Sequence, residues 1–276
     1  MLTKKERIDV LLVERGLMET REKAKRSIMA GLVYSGTERM DKPGVKIDRD
    51  TPLEVKGNPL PYVSRGGLKL EKAIEQFNLN LADKIVLDIG ASTGGFTDCS
   101  LQNGAKSVYA LDVGYNQLAW KLRQDERVTV MERTNFRYVK PEDLHEGLPQ
   151  FATIDVSFIS LKLILPVLKT ILVPNGEVVA LVKPQFEAGR EQVGKKGIVR
   201  DKSVHEDVLN QIIEFSSREG YVVSGLSYSP IKGGEGNIEF LMHLQYLGDN
   251  GSVNESIAVR DVVAEAHESL KAKLEE

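Results

Sequence analysis

KIVLDIGASTGGFTDCSL, residues 84–101, carries the transition on which the fold depends. A run of apolar and β-branched residues ends at Asp88 and passes at once into a loop holding Gly90, Gly94 and Gly95, where a backbone without Cβ atoms turns sharply and comes close to a ligand. A helix follows, and Cys99 lies on it. Outward from this unit the pattern repeats. SVYALDV (107–113), RVTVME (127–132), FATIDVSF (151–158) and GEVVALVK (176–183) are further strand candidates, separated by helix-length segments. Such alternation predicts an α/β domain with a parallel sheet covered on both faces, its ligands at the carboxyl ends of the strands. YVVSGLSYS (221–229) and NIEFLMHLQYL (237–247) bring the sheet to seven strands, mostly parallel and Rossmann-like. Residues 252–276 read as a terminal helix, packed on the outside or exposed.

The loop itself narrows the ligand. Ser92 stands where a GxGxxG motif has its second glycine, which disfavours a dinucleotide pyrophosphate. Asp112, at the end of the second strand, is placed to accept both hydroxyls of an adenosine ribose. Loop and acid together fit S-adenosylmethionine, whose cationic sulfonium and amino group also favour a nearby carboxylate such as Asp88. The expected cofactor set is Asp88, Gly90, Ser92, Thr93, Gly94, Gly95, Phe96, Asp112, Val113, Asn135 and Asp155.

The 276 residues are 41% hydrophobic and 28% charged, enough for one substantial core and a smaller satellite domain. No apolar run approaches the roughly 20 residues that span a bilayer, and MLTKKERIDV has no secretory signal pattern. A cytoplasmic protein is expected. One cysteine, Cys99, excludes an intrachain disulfide framework, and His145, His205, His243 and His267 show no metal-ligand spacing, so no metal is expected. Net charge is −3, yet residues 1–72 hold 16 Lys and Arg against 11 Asp and Glu, an excess of +5 that leaves −8 for the remainder. That asymmetry points the first segment toward a polyanion.

Within that segment, ERIDVLLVERGLM places Ile8, Leu11 and Leu12 on one helical face and stops at Gly16. Thr20 can cap a second helix, TREKAKRSIMAG, closing at Gly31, with Arg21 and Lys25 at i, i+4. Residues 31–55 read as short strands broken at Ser35-Gly36, Pro43-Gly44 and Asp50, and Pro59 with Pro61 suggests a stiff linker. RIDVLLVERGLMETREKAKRSIMAGLVYSG resembles the ribosomal-protein S-four-type RNA-binding domain. The resemblance implies that Arg7, Arg15, Arg21, Lys25 and Arg26 lie near phosphates, which cations at the right separation suffice to bind. The expected division is an α+β RNA-binding domain over 1–60, a linker over 61–66 and a catalytic domain over 67–276.

Four further residues bear on the chemistry: Lys69 in SRGGLKL, Asp155 and Lys183 at strand ends, and Glu239 in the last strand. SRGGLKL, DIGASTGGFTD, IDVSFISL, LVKPQFE and GNIEF resemble, as a set, the FtsJ-like ribose methyltransferases and more closely the TlyA family, also called hemolysin A, which joins that fold to the S-four-type domain. The resemblance implies a Lys-Asp-Lys-Glu catalytic tetrad at Lys69, Asp155, Lys183 and Glu239, with ribosomal RNA cytidines as acceptors and ribosomal subunits as partners. Elementary chemistry agrees, since a ribose hydroxyl needs an aligned base to attack a sulfonium methyl. Two lysines side by side are expected to lower each other's pKa, with Lys183 as the base. An exocyclic-amine enzyme would carry an Asn/Asp-Pro-Pro-aromatic segment where this chain has IDVSFIS. A cytosine C5 enzyme needs a thiolate, and Cys99 is poorly placed to supply one.

Two non-enzymatic readings stand beside this one. A catalytically silent RNA-binding factor would have no reason to keep four tetrad residues. A membrane-lytic protein would need an apolar span or a cationic amphipathic helix, and SIAVRDVVAEAHESLKAKLEE is as acidic as it is basic. Finally, FEAGREQVGKKGIVR (186–200) has few apolar positions and reads as a mobile basic flap. With Arg65 before the first helix of the domain, its Arg190, Lys195 and Lys196 are expected RNA contacts.

Overall fold

The computed structural model describes residues 5–29, 31–57, 60–248 and 251–272, and the chain divides into two compact units between Pro61 and Tyr62. In the first unit β1 (Lys5–Arg7) leads into α1 (Ile8–Glu14), followed by α2 (Arg21–Met29), β2 (Val33–Ser35), β3 (Glu38–Arg39), β4 (Lys46–Asp48) and β5 (Glu54–Val55). β1 pairs antiparallel with β4, and β3, β2 and β5 form a second small sheet. Ile8, Leu12, Ala24, Ile28 and Val33 fill its core. Gly16, at φ 69°, lets the chain leave α1 through a left-handed turn, and the Thr20 hydroxyl accepts the Lys23 N–H at 3.2 Å to start α2.

Asp9, fully buried in the first turn of α1, holds this unit together. Its carboxylate takes Arg7 Nε at 2.9 Å and Arg21 Nη2 at 2.9 Å, joining β1, α1 and α2. Hydrogen bonding from Arg7 outweighs the penalty of burial and, with Arg21, brings the Asp9 pKa down to about 2. Arg15 donates to the carbonyls of Thr51, at 2.7 Å, and Arg49. Lys25 pairs with Glu22 at 2.8 Å. Of the five cations expected to face phosphate, four are thus engaged inside the unit, and Arg26 stands exposed without such a partner among the described residues.

The second unit contains α3 (Gly67–Phe77), β6 (Ile85–Ile89), α4 (Gly95–Gln102), β7 (Ser107–Leu111), α5 (Trp120–Arg123), β8 (Val128–Met131), β9 (Phe151–Ile154) and α6 (Leu165–Leu168). β10 (Glu177–Val182), α7 (Pro184–Glu187), α8 (Lys202–Arg218), β11 (Tyr221–Tyr228), β12 (Phe240–Tyr246), β13 (Ser252–Val253) and α9 (Val259–Ala272) complete it. The sheet runs β13-β11-β12-β10-β9-β6-β7-β8, with β8 through β10 parallel and β12 antiparallel to both its neighbours. It has eight strands rather than the expected seven: β13, two residues pairing with the edge of β11, carries no periodic pattern by which a sequence could announce it.

Alternation along the strands builds the two cores. Leu87 and Ile89 of β6, with Val178, Ala180 and Val182 of β10, face α8 and α9. Val86, Val179 and Leu181 face α3 and α4. α9 buries Val263, Ala266 and Leu270, so it is a packed helix and not a free one. Residues 62–66, read from sequence mostly as linker, pack with this unit: the Tyr62 hydroxyl donates to Glu71 at 2.6 Å and the Val63 N–H to Asp98 at 2.8 Å. Pro59 lies outside the described residues.

The segment 186–200 departs from its expectation. Val199 is buried in the core, and Asn237 clamps it, accepting the Val199 N–H at 3.1 Å and donating to the Gly197 carbonyl at 2.9 Å. Val199, the partly buried Ala188 and Val193 that pack against the same core, and one buried amide anchor a stretch whose composition looks unable to pack. Only its outer residues, with Arg190, Lys195 and Lys196, are exposed. No helix among the described residues is long and apolar enough to cross a membrane.

Replacing Asp9 with alanine leaves two arginines unpaired around a buried gap and should destabilise the first unit by about 1–3 kcal/mol, a range discounted because both guanidinium groups are partly exposed. Because the folded pKa of Asp9 is depressed to about 2, its contribution is present above pH ~4 and fades as pH falls toward 2. Denaturant titrations of wild type and Asp9→Ala at neutral pH and at pH 2–3 should therefore converge at the acid end.

Candidate active site

The carboxyl ends of the parallel strands meet at one place. Asp155 directly follows β9, and its N–H donates to the Ile89 carbonyl at the end of β6 at 3.0 Å. Gly90 begins the loop after β6 at φ 88°, and a Cβ there would stand 2.5 Å from the Asp155 carbonyl oxygen, so only glycine lets these two strand ends approach. Lys183 follows β10, Lys69 sits in the first turn of α3, and Glu239 precedes β12.

These four side chains form one ion network. Lys69 Nζ lies 2.6 Å from Glu239 Oε2 and 3.3 Å from Asp155 Oδ2, while Lys183 Nζ lies 2.5 Å from Asp155 Oδ1 and 3.4 Å from the Ser157 hydroxyl. Lys69 and Lys183 are each 7% exposed and Glu239 2%. Charges so removed from water persist only when paired, and here positive and negative groups alternate as Glu239, Lys69, Asp155 and Lys183.

For Lys69 the alternation overturns the expected lowering of its pKa. Burial does pull the Lys69 ammonium down, but the carboxylates of Asp155 and Glu239 more than offset it and hold its pKa above the ordinary value. Asp155 answers in kind. Burial alone would raise it, and Lys69 with Lys183 instead hold it below the usual carboxylate range.

Two cavities flank the network. One, of about 240 Å³, is lined by Lys69, Lys183, Glu239, Thr93, Arg65 and Lys232. The other, of about 390 Å³, is lined by Asp112, Val113, Asn135, Phe136, Phe158 and Ile159. Gly90, Ser92, Asp155 and Ser157 border both. Asp112 is oriented by the loop it faces, its two oxygens accepting the Ser92 and Gly114 N–H groups at 2.7 Å each. Gly94 and Gly95 open α4, and Phe96 is almost wholly buried beneath the smaller cavity.

Asp88 is elsewhere than expected. It is fully buried under the loop, its carboxylate accepting the hydroxyls of Thr97 at 2.6 Å and Thr153 at 3.0 Å, and it lines neither cavity. Burial raises its pKa to about 6 against those two hydrogen bonds. It braces the loop and presents no charge to a ligand. Cys99, buried in α4, is pushed up to about 12 chiefly by burial, which removes it as a thiolate nucleophile. Arg190, Lys195 and Lys196 border neither cavity.

Phe158 was missed by sequence reading. It is 91% exposed, adopts a left-handed backbone at φ 63°, and lies with its ring 5.0 Å from that of Phe186. Strain and exposure together mark an apolar side chain held out for contact. The available signal was its position three residues after Asp155, the spacing of the aromatic in the Asp-Pro-Pro-aromatic segment that IDVSF otherwise lacks.

Residues 62–246 match the FtsJ-like methyltransferase model. The chain belongs to the FtsJ-like methyltransferase family. Residues 6–51 of this methyltransferase match the S4 domain. It is 70% identical to the Bacillus subtilis protein named "Putative rRNA methyltransferase YqxC" over 99% of its own length and 98% of that protein's. It is 40% identical to the Mycobacterium tuberculosis protein named "16S/23S rRNA (cytidine-2'-O)-methyltransferase TlyA", over 88% and 91% of the two chains. A solved structure titled "Putative hemolysin from Streptococcus thermophilus" shares 61% identity over 99% of this chain and all of that one, with a TM-score of 0.79.

Lys69→Met should strand the Glu239 carboxylate in the interior and cost about 3 kcal/mol, the usual penalty for breaking a buried pair from one side. Adding Glu239→Gln should restore part of that loss. A double-mutant cycle by denaturant unfolding that instead gives additive losses would show the pair to be uncoupled.

Proposed function

We propose that this methyltransferase uses S-adenosylmethionine to methylate the ribose 2'-hydroxyl of a cytidine in ribosomal RNA. The observation that carries the proposal is the alternating network of Lys69, Asp155, Lys183 and Glu239 at the junction of two cavities, one suited to an adenosine and one to a ribose. The name of the Mycobacterium tuberculosis relative supplies the acceptor and the nucleotide.

The larger cavity fits the cofactor. Asp112 keeps lone pairs free for two ribose hydroxyls while the Ser92 and Gly114 amides fix its plane, and Phe136, Ile159 and Ile164 offer an apolar seat for a base. Gly90, Ser92, Thr93, Gly94, Gly95 and Phe96 bring the loop backbone close, and Val113 and Asn135 border the adenosine end. Asp155, between the cavities, supplies negative charge beside a sulfonium. Once bound, the cofactor contributes an electrophilic methyl group.

The remaining work falls to the chain. Lys69, held charged by two carboxylates, is a hydrogen-bond donor that fixes the acceptor oxygen and is a poor base. Lys183, having first released its own proton to solvent, then takes the 2'-hydroxyl proton on its free amine, oriented by Asp155 at 2.5 Å and Ser157 at 3.4 Å. Glu239 fixes Lys69. Phe158 offers an exposed face on which the acceptor base stacks. The first unit, reading RNA through an S4 domain, grips the surrounding rRNA with Arg26 and the outer faces of Arg7, Arg15, Arg21 and Lys25, and Arg65 adds a cation at the cavity rim. Arg190, Lys195 and Lys196 lie on the anchored 186–200 segment, within reach of phosphates flanking the acceptor. Intact or assembling ribosomal subunits are the natural form of the substrate.

Two substitutions separate the cavities. Asp112→Ala should weaken S-adenosylmethionine by about 1–3 kcal/mol, the range for ligand groups left unpaired, as read by titration calorimetry. Lys183→Ala should leave that affinity in place and abolish turnover even at saturating RNA. Equal turnover by Lys183→Ala and wild type would remove the base from the proposal.

A further inference from the structure

A third cavity, of about 510 Å³, lies on the other side of the 232–236 loop from the catalytic pocket. Its floor is apolar, formed by Ile198, Val199, Ile238 and Leu270, and Arg200, Lys232 and Lys271 stand at its edge. Its shape is built rather than incidental. Asn237, 3% exposed, ties both walls, bonding Val199 and Gly197 on one side and the Gly234 carbonyl, at 3.1 Å, on the other. His267 closes the end, its Nε2 lying 3.0 Å from Nδ1 of the buried His205, whose other nitrogen meets the Val199 carbonyl at 3.2 Å.

The charges there are uncompensated. Arg200, Lys202, Lys232 and Lys271 have no ion-pair partner among the described residues, in contrast to Lys69 and Lys183 in the catalytic pocket. Their field is felt at His267, whose pKa is lowered first by burial and then by Lys202, Lys271 and Lys232, with Asp201 opposing. Asp201 is itself occupied as the cap of α8, accepting the Ser203 N–H at 2.9 Å, and Glu235 is the other acid at the rim. An apolar floor under a ring of unpaired cations fits a flat base joined to phosphates.

Lys232 lines this cavity and the catalytic pocket alike. Consecutive nucleotides share one phosphate, and the two cavities share one cation. We infer that the third cavity holds the nucleotide next to the methylated one, its base on Ile198, Ile238 and Leu270 and the linking phosphate at Lys232. The inference rests on the proposed RNA substrate and deepens it: the enzyme would read a dinucleotide step, with specificity beyond the acceptor set by what the third cavity admits.

The test uses the full chain and ribosomal RNA transcribed with 4-thiouridine, irradiated and digested, with crosslinked peptides mapped by mass spectrometry. Crosslinks to residues 198–202 and 267–271 are expected, and their absence alongside crosslinks elsewhere on the second unit would overturn the inference. In parallel, Arg200→Glu with Lys271→Glu, both exposed and outside the catalytic pocket, should raise the KM for RNA about tenfold and reduce the salt slope by roughly two, as loss of two phosphate contacts does. Unchanged KM and slope would count against it equally. Crosslinking needs no turnover, so a chain that fails to methylate RNA but crosslinks at these peptides would refute the proposed reaction and leave the nucleotide site standing. Competition by a free mononucleotide or inorganic phosphate at concentrations that leave the catalytic pocket empty would show a site for free anions and overturn the assignment to the RNA strand.

Discussion

Asp155 is the residue on which the rest of the second unit converges. Its carboxylate is shared by two buried lysines, and one of them, Lys69, is shared with Glu239, so four charges that would each be costly alone are stabilised together. The arrangement also sets the two lysines apart. Lys69 lies between two carboxylates that hold its pKa above the ordinary value, whereas Lys183 touches one carboxylate at the edge of a cavity, the position from which it is proposed to act. The fold serves this network. Four elements far apart in sequence, α3 and the ends of β9, β10 and β12, are brought within a few ångströms because a parallel sheet gathers its strand ends at one edge and an antiparallel β12 returns a carboxylate to it.

A second theme is that polar residues buried away from the site determine how precisely it is held. Asp88 looks from sequence like a ligand for a cationic cofactor, yet it braces Thr97 and Thr153 and so fixes the loop above it. Asn237 does the same for the 197–199 segment and the loop before β12. Asp9 does it for the first unit, at the expense of cations that a charge count would have assigned to RNA. In each case a buried polar side chain fixes the backbone around it.

Much of this was legible in the sequence, and the exceptions have physical reasons. The apolar, β-branched runs of β6 to β12 are long enough to identify as strands, and the strand ends then place Asp112, Asp155 and Lys183 at one edge. β13 escaped because two residues make no period. The 186–200 segment packs through Ala188, Val193 and Val199 and through bonds from Asn237, nearly forty residues away, and from Ser160 and Leu161 to Glu187, contacts that no local pattern encodes. The expected lowering of the Lys69 pKa fails because sequence places the two lysines together but cannot show the two carboxylates that flank Lys69. Phe158 lay in plain view, and only its exposure and left-handed backbone distinguish it from a core phenylalanine.

The most direct test of the account is nucleoside mass spectrometry of ribosomal RNA incubated with the purified full chain and S-adenosylmethionine carrying a labelled methyl group. The account predicts label in 2'-O-methylcytidine, located on the ribose fragment, and none when the RNA is incubated with Lys183→Ala. Label on a base fragment, or wild-type and Lys183→Ala giving the same incorporation, would contradict it.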